Sequence, residues 1–178
     1  METIELRTER LIIRQFREKD AESYFRLFSE PRVHCFAGER LESVEEARAE
    51  ILEKKDRTDG SELAVCRMDT DEFLGTLFGL WEGDTFSVCW NFLPECCGKG
   101  YAYESAKAYL DFLFHEMDAR RIYAYVEEDN ASSQQLCRKL GMRQEGLFKE
   151  FISFVKNPDG TPLYENTLQF AILKKEWN

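Results

Sequence analysis

A glycine-rich loop between a strand-like and a helix-like segment constrains this chain most. The loop spans Leu93–Ala102 with the sequence LPECCGKGYA, and its glycines are Gly98 and Gly100. Glycine lets a backbone approach a ligand closely, and the first turn of a following helix carries unpaired amides and a partial positive charge. The stretch therefore predicts a site for an anionic group that needs no arginine side chain.

Two common phosphate-binding motifs do not describe this loop. The chain has no Gly-x-x-x-x-Gly-Lys-Ser/Thr sequence, and Tyr103 stands where a dinucleotide-binding Gly-x-Gly-x-x-Gly needs its third glycine. On these residues alone, an ordinary glycine-rich turn before a helix explains the stretch equally well.

Hydrophobic periodicity divides the chain into strands and helices. The predicted strands are Arg10–Phe16, Leu63–Cys66, Phe73–Trp81, Thr85–Phe92, Ile122–Val126, Met142–Val155 and Leu163–Leu173, the last two joined as a hairpin by Asn157–Gly160. The predicted helices begin at Asp20, at a Ser43–Glu46 capping box, at Ala102 and at Asn130, and the second should reach about Arg57. Strands at both ends with helices between them predict an α/β fold of the α+β type, with a mixed, mostly antiparallel sheet and flanking helices.

Length and charge exclude several classes of protein. With 178 residues and no repeat or linker-like stretch, the chain is expected to form a single domain over residues 1–178. The formal net charge of −10 disfavours a nucleic-acid partner, and it either attracts cationic partners such as amines or simply keeps the protein in solution. No membrane span or secretory signal is visible, so we expect no membrane partner and a cytoplasmic location.

The six cysteines are interpreted as reduced thiols that pack as small hydrophobic side chains. None forms a Cys-x-x-Cys pair, and the adjacent Cys96 and Cys97 lack the spacing of zinc ligands. The two histidines, His34 and His115, lie far apart in sequence. We therefore expect no bound metal.

A second segment, Asn130–Met142, makes the interpretation of the glycine-rich loop far more specific. It follows a buried strand and has the pattern Asn-x-x-Ser-x-x-Leu-x-x-Lys-Leu-Gly-Met. Together with Gly98–Ala102, with Thr8–Arg14 near the start and with Phe170–Trp177 near the end, it resembles the GCN5-related N-acetyltransferase (GNAT) family, and within that family the RimJ/RimL-like branch. The likeness extends over nearly the whole chain.

The resemblance implies a sheet that splays open between two parallel strands ending near Leu93 and Val126. It also implies acetyl-CoA as the acetyl donor, with the pantetheine arm lying in the splay. The expected cofactor-binding residues are Phe92 and Leu93 through their backbone groups, the amides of Gly98, Lys99, Gly100, Tyr101 and Ala102, and finally Asn130 and Ser133.

The implied reaction is direct attack of a primary amine on the thioester in a ternary complex. The amine must first lose a proton, because its pKa is about 10.4 when it is free in solution. The carbonyl oxygen and the departing thiolate also need stabilisation as charge develops on them. A backbone amide near Phe92 or Leu93 is the implied group that polarises the carbonyl.

The catalytic side chains depart from the wider family pattern. Cys137 stands where many relatives carry a tyrosine acid, so Ser133 becomes the candidate general acid, as in some RimL-like relatives. Ser87 stands about where a glutamate often lies on the strand before the loop, and the candidate bases are Glu127 and His34. The alternatives are Glu128, Asp129, Glu165 and a chain of water molecules.

Two functions are compatible with these residues. The first is an acetyl-CoA-dependent N-acetyltransferase acting on the primary amine of a protein N-terminus or a small molecule. The second is a non-catalytic sensor or interaction module that binds CoA or acetyl-CoA, which the missing tyrosine and glutamate suggest. The acceptor is expected near Tyr24–Phe36 and Glu145–Asn166, and the protein is expected to be a monomer or homodimer.

Overall fold

Eight strands form one sheet in the computed structural model, which describes residues 4–54 and 59–177. The strands are β1 Glu5–Arg7, β2 Leu11–Arg14, β3 Gly60–Arg67, β4 Phe73–Glu82, β5 Thr85–Phe92, β6 Arg121–Glu127, β7 Arg143–Lys156 and β8 Pro162–Leu173. The helices are α1 Ala21–Phe28, α2 Val44–Lys54, α3 Tyr101–His115 and α4 Ala131–Lys139, with short 3-10 turns at Glu18–Asp20, His34–Glu39, Pro94–Cys96 and Lys174–Glu176. The predicted α+β fold with flanking helices is confirmed.

The sheet has the order β1-β2-β3-β4-β5-β6-β8-β7, and β5 and β6 are its parallel pair. All other neighbouring strands run antiparallel. The predicted hairpin is confirmed at Asn157, whose amide donates to Thr161 O over 2.8 Å. Of the helices in the described ranges, none combines the length and apolar character that a membrane span requires.

Helix α1 buries the apolar side chains that its sequence periodicity places on one face. Tyr24, Leu27 and Phe28 follow the i, i+3, i+4 spacing of one helical face, and all three are buried. The Tyr24 ring meets Phe16 edge to face, with ring centroids 5.3 Å apart. The periodicity of this segment therefore predicts its buried face correctly.

The capping box before α2 differs in one detail from the prediction. Ser43 Oγ accepts the Glu46 amide at 3.1 Å, as expected, but the Glu46 carboxylate accepts the amide of Glu42 at 2.8 Å, one residue before the expected one. The structure gives the helix as Val44–Lys54. Its expected end near Arg57 lies outside the described residues.

A gap opens in the middle of the sheet because β5 and β6 pair over only a short length. The parallel register joins Thr85–Ser87 to Arg121–Tyr123 and then stops. Beyond that point, β5 stays bonded to β4 as far as Phe92, and β6 stays bonded to β8 as far as Glu127. Each strand keeps its outer neighbour, so the two separate and leave a wedge between them. This is the splay that the family resemblance predicted.

Candidate active site

The gap between β5 and β6 widens into a cavity of about 560 Å³ that also reaches the start of α3 and helix α4. Most of the predicted site residues meet there: Phe92, Gly98, Gly100, Tyr101, Ala102, Glu127, Asn130 and Ser133 line it. Leu93, Lys99 and His34 are not part of this lining.

The loop before α3 presents unpaired amides to the cavity. Gly98 and Gly100 have φ of +75° and +81°, a left-handed conformation that favours glycine. The first bond of α3 runs from the Glu104 amide to Gly100 O at 3.0 Å. The preceding amides, those of Tyr101–Tyr103, therefore have no acceptor within the helix, and together with the helix dipole they suit an anion.

The Arg10 side chain bonds to this loop and helps to fix its position. Its guanidinium donates to Lys99 O at 3.1 Å and is held by the Glu104 carboxylate, with Nε 2.7 Å from Oε2. The Thr8 hydroxyl donates to the other oxygen of Glu104 at 2.6 Å. Sequence reasoning placed Thr8 and Arg10 in a family-like segment but assigned them no role, because the contact joins residues nearly a hundred positions apart.

At the end of β5, the backbone amide and carbonyl of Phe92 face the gap, whereas those of Leu93 do not. The Leu93 amide donates to Leu74 O on β4, and its carbonyl accepts the Cys96 amide, both at 2.9 Å. Because backbone groups alternate in direction along a strand, those of Phe92 point to the opposite side. The Phe92 carbonyl accepts the guanidinium of Arg32 at 2.8 Å. Arg32 lines the cavity and was not anticipated from the sequence.

Asn130 and Ser133 form the α4 side of the cavity. Asn130 caps the helix, because its Oδ1 accepts the Ser133 amide at 3.1 Å and the Ser132 hydroxyl at 2.9 Å. The Ser133 hydroxyl oxygen in turn accepts the indole N–H of Trp90 at 3.2 Å. Trp90 lies on β5, so this bond joins the two walls of the cavity.

Glu127 is a nearly buried carboxylate at the end of β6, with 8% of its surface exposed. Its Oε1 accepts the Cys35 amide at 2.6 Å. Over residues 4–54 and 59–177, no lysine, arginine or histidine side chain forms an ion pair with it. Burial raises the pKa of Glu127 above its ordinary value, although the Cys35 amide opposes the shift.

His34 pairs with Glu165 and is not part of the cavity lining, although its neighbours Val33 and Cys35 are. Its Nδ1 is 2.5 Å from Glu165 Oε1, and this hydrogen bond raises the pKa of His34 above its ordinary value. The other oxygen of Glu165, Oε2, is buried and has no hydrogen-bond partner in the described part of the chain. His34 is therefore placed as the partner of a carboxylate and not as a lining residue.

Cys137 occupies a packing position. Its side chain is fully buried, and burial raises the pKa of its thiol to about 12. It does not line the cavity, so it does not replace the tyrosine found in many relatives. Among the residues that the structure describes, no group of three His, Cys, Asp or Glu side chains is arranged to hold a metal ion.

Comparison with known proteins gives one consistent result. Residues 10–143 match the family described as Acetyltransferase (GNAT) domain. The uncharacterized N-acetyltransferase YnaD of Bacillus subtilis is 34% identical over 174 residues, covering 96% of this chain and 98% of that protein. A GNAT-family acetyltransferase structure from Bacillus anthracis is 30% identical with a TM-score of 0.84, covering 97% of this chain and all of the other.

A more distant structural neighbour is the ribosomal-protein-S5-alanine acetyltransferase of Vibrio fischeri. It has a TM-score of 0.75 at 18% identity, over 98% of this chain and 99% of that one, so the likeness is one of fold. The glycine-rich loop, the splayed strands β5 and β6 and helix α4 all lie within the residues that match the family. The chain belongs to the GNAT family of N-acetyltransferases, enzymes that take an acetyl group from acetyl-CoA and transfer it to an amine.

Proposed function

We propose that the gap between β5 and β6 is where this protein moves an acetyl group from acetyl-CoA to a primary amine. The observation that carries the proposal is the coincidence of three features in one cavity. The inward backbone groups of β5 have no strand partner there, Gly98 and Gly100 adopt left-handed conformations, and the first amides of α3 lack helical acceptors. These features suit a long amide-containing arm with a diphosphate at one end.

The proposed donor site divides between the two ends of the cavity. The amides of Gly98–Ala102 would hold the diphosphate, since helix N-termini and left-handed glycines favour bound anions. The main chain of Phe92 and the side of Asn130 that faces the cavity would contact the arm. The Arg32 guanidinium donates a hydrogen bond to the Phe92 carbonyl. This bond would have to break before the arm could bond to that carbonyl. Bound acetyl-CoA supplies a thioester carbonyl that an amine can attack.

Proton transfer is assigned to Glu127 and Ser133, two side chains of the cavity lining with suitable chemistry. Glu127 lines the cavity, whereas His34 does not, so Glu127 is the proposed acceptor of the amine proton. The Ser133 oxygen already accepts from Trp90, which leaves its own hydroxyl hydrogen free to donate to the leaving sulfur. Overall, a C–N bond forms as the C–S bond breaks, the amine proton passes to Glu127 and the leaving thiolate takes the Ser133 hydroxyl proton. Solvent then returns a proton to Ser133 and takes one from Glu127, so that the products are the N-acetylated amine and the CoA thiol.

The proposal is tested by titrating acetyl-CoA calorimetrically and by following thiol release with a panel of primary amines. We expect micromolar binding on the order of 1–100 μM, in the usual range of Michaelis constants, and turnover with at least one amine. Binding with no turnover of any amine would favour the sensor function instead. Absence of both binding and turnover would contradict the proposal that this cavity is an acetyl-CoA site.

A further inference from the structure

An exposed cluster of aromatic rings lies beside the cavity. Tyr125 on β6 and Phe148 and Phe151 on β7 have ring centroids separated by 5.7 Å (Tyr125–Phe151), 6.2 Å (Tyr125–Phe148) and 5.0 Å (Phe148–Phe151). They expose 47%, 36% and 48% of their surfaces, respectively. We call these three side chains the aromatic wall. Exposed aromatic side chains in mutual contact form a candidate surface for another molecule.

The wall is continuous with the proposed active site. Tyr125 lines the cavity and lies two residues before Glu127 on the same face of β6. The strand register puts Glu127 opposite Thr167, and Thr167 opposite Phe148, in one row across β6, β8 and β7. With strands about 4.8 Å apart, the backbones of Glu127 and Phe148 lie roughly 10 Å from each other. One small molecule can therefore contact both the carboxylate and the wall.

Two carboxylates, those of Glu127 and Glu165, lie at one end of this face, and at the other end of β6 the charge of Arg121 is paired with Glu145. Glu127 has no cationic partner among the described residues. Glu165, on the same face of the sheet, bonds to His34 through Oε1, while its buried Oε2 has no partner in those ranges. The wall is composed of rings. A molecule that complements this surface carries a positively charged amine at one end and an apolar body at the other.

We propose that the acceptor is a primary amine whose nitrogen lies at Glu127 and whose apolar body packs on the aromatic wall. This inference rests on the proposed function and adds the class of acceptor. Free arylalkylamines and peptides that begin with an aromatic residue present the same chemistry. A polar diamine or an amine without an apolar body lacks the group that would cover Tyr125, Phe148 and Phe151.

The experiment measures kcat/KM for 2-phenylethylamine and for ethylamine, and in a second arm for the peptides Phe-Gly-Gly and Gly-Gly-Gly. We expect the apolar member of at least one pair to be favoured by roughly tenfold or more, the discrimination that a hydrophobic contact provides. Phe151→Ala should lower kcat/KM roughly tenfold for the apolar acceptor and less than about twofold for its partner. The pair of acceptors that shows this difference identifies the acceptor as a free amine or as a peptide.

Phe154→Ala is the matched control. Phe154 lies on the same strand and is 37% exposed, but its ring is in none of the wall's ring pairs. It should leave both values of kcat/KM unchanged. Binding of 2-phenylethylamine and of Phe-Gly-Gly to the CoA-saturated protein, followed by calorimetry, adds a readout that does not depend on turnover and should weaken in Phe151→Ala for the favoured probe.

Several results would overturn the inference while leaving the proposed function intact. One is turnover of ethylamine or Gly-Gly-Gly with no preference for the apolar partner. Another is an equal loss for both members of a pair in Phe151→Ala together with a change of oligomeric state in gel filtration, which would make the wall a contact between two copies of the chain. If acetyl-CoA neither binds nor reacts with any amine, the proposed function fails and this inference fails with it.

Discussion

The indole Nε1 of Trp90 and the hydroxyl oxygen of Ser133 lie 3.2 Å apart, and this hydrogen bond connects β5 with α4. An indole N–H can only donate, so Ser133 is the acceptor and its hydroxyl hydrogen is directed to another group. The bond orients the one hydroxyl that we assign to protonation of the leaving sulfur.

Ser133→Ala is expected to lower kcat roughly 100-fold, a typical effect of removing a positioned proton donor. Acetyl-CoA affinity should change less than about twofold, because the Ser133 contact with Asn130 uses the backbone amide. Steady-state thiol release and calorimetry measure the two quantities. Ser132→Ala is the control. Its kcat should stay close to that of the wild type, because the Ser132 hydroxyl donates to Asn130 Oδ1 and is assigned no proton transfer. An unchanged kcat in Ser133→Ala would assign the proton to water.

Glu127→Gln is expected to lower kcat/KM roughly 100-fold and to change its pH profile. A base must be ionised, and burial raises the pKa of Glu127, so wild-type activity should fall as the pH drops through a value above the ordinary 4.5. Initial rates measured between about pH 5 and pH 9 test this, the range in which such a shifted group titrates. Glu128→Gln should keep the acidic limb. Loss of the limb in Glu128→Gln instead would transfer the role to Glu128.

Gly100→Ala is expected to weaken acetyl-CoA binding roughly tenfold. Gly100 has φ of +81°, and an added Cβ would lie 3.3 Å from Arg10 Nη2, so both the strain and the contact would shift the loop amides. Gly160→Ala is the matched control, because Gly160 has φ of +87° in a distant hairpin. Both variants should lose about 1–2 kcal/mol of unfolding free energy in urea. Only Gly100→Ala should lose affinity by calorimetry.

Asp20→Ala is expected to destabilise the fold by about 3–5 kcal/mol. The Asp20 carboxylate receives two bonds from Arg14, at 2.8 and 3.0 Å, and both side chains are almost fully buried. Removing Asp20 leaves the buried Arg14 guanidinium with the partly exposed Asp71 carboxylate, 2.9 Å away, as its remaining anionic partner. Asp69→Ala removes an exposed pair with Arg67, which solvent screens, and should leave the free energy of unfolding nearly unchanged. Equal losses in the two variants, measured by urea unfolding, would contradict this account.

His34 is expected to titrate above its ordinary pKa of 6.5, because its ring bonds to Glu165. A raised folded-state pKa adds stability below the unfolded-state value, and that stability disappears as the pH rises through the folded-state pKa. NMR titration of the ring proton measures the shift, with His115→Gln used to assign the two signals. Glu165→Gln should bring the pKa back towards 6.5. An unshifted His34 signal in the wild type would contradict the pairing.

Local patterns in the sequence are sufficient for much of the fold. The buried face of α1, the cap at Asn130 and the turn at Asn157–Gly160 depend on neighbours a few residues apart, and each is found as predicted. The Gly98–Gly100 loop also follows from local chemistry, because left-handed backbone conformations favour glycine. The family resemblance added the splay between two parallel strands, which periodicity alone does not reveal.

Contacts between distant segments were decided by the tertiary structure alone. The direction of the Leu93 backbone towards β4, the pairing of His34 with Glu165 and the assembly of Tyr125 with Phe148 and Phe151 all depend on strand register. Register determines which face and which edge every side chain and amide occupies, and it is set by the packing of the whole sheet. A sequence read residue by residue indicates which chemical groups are present; the sheet decides which of them meet.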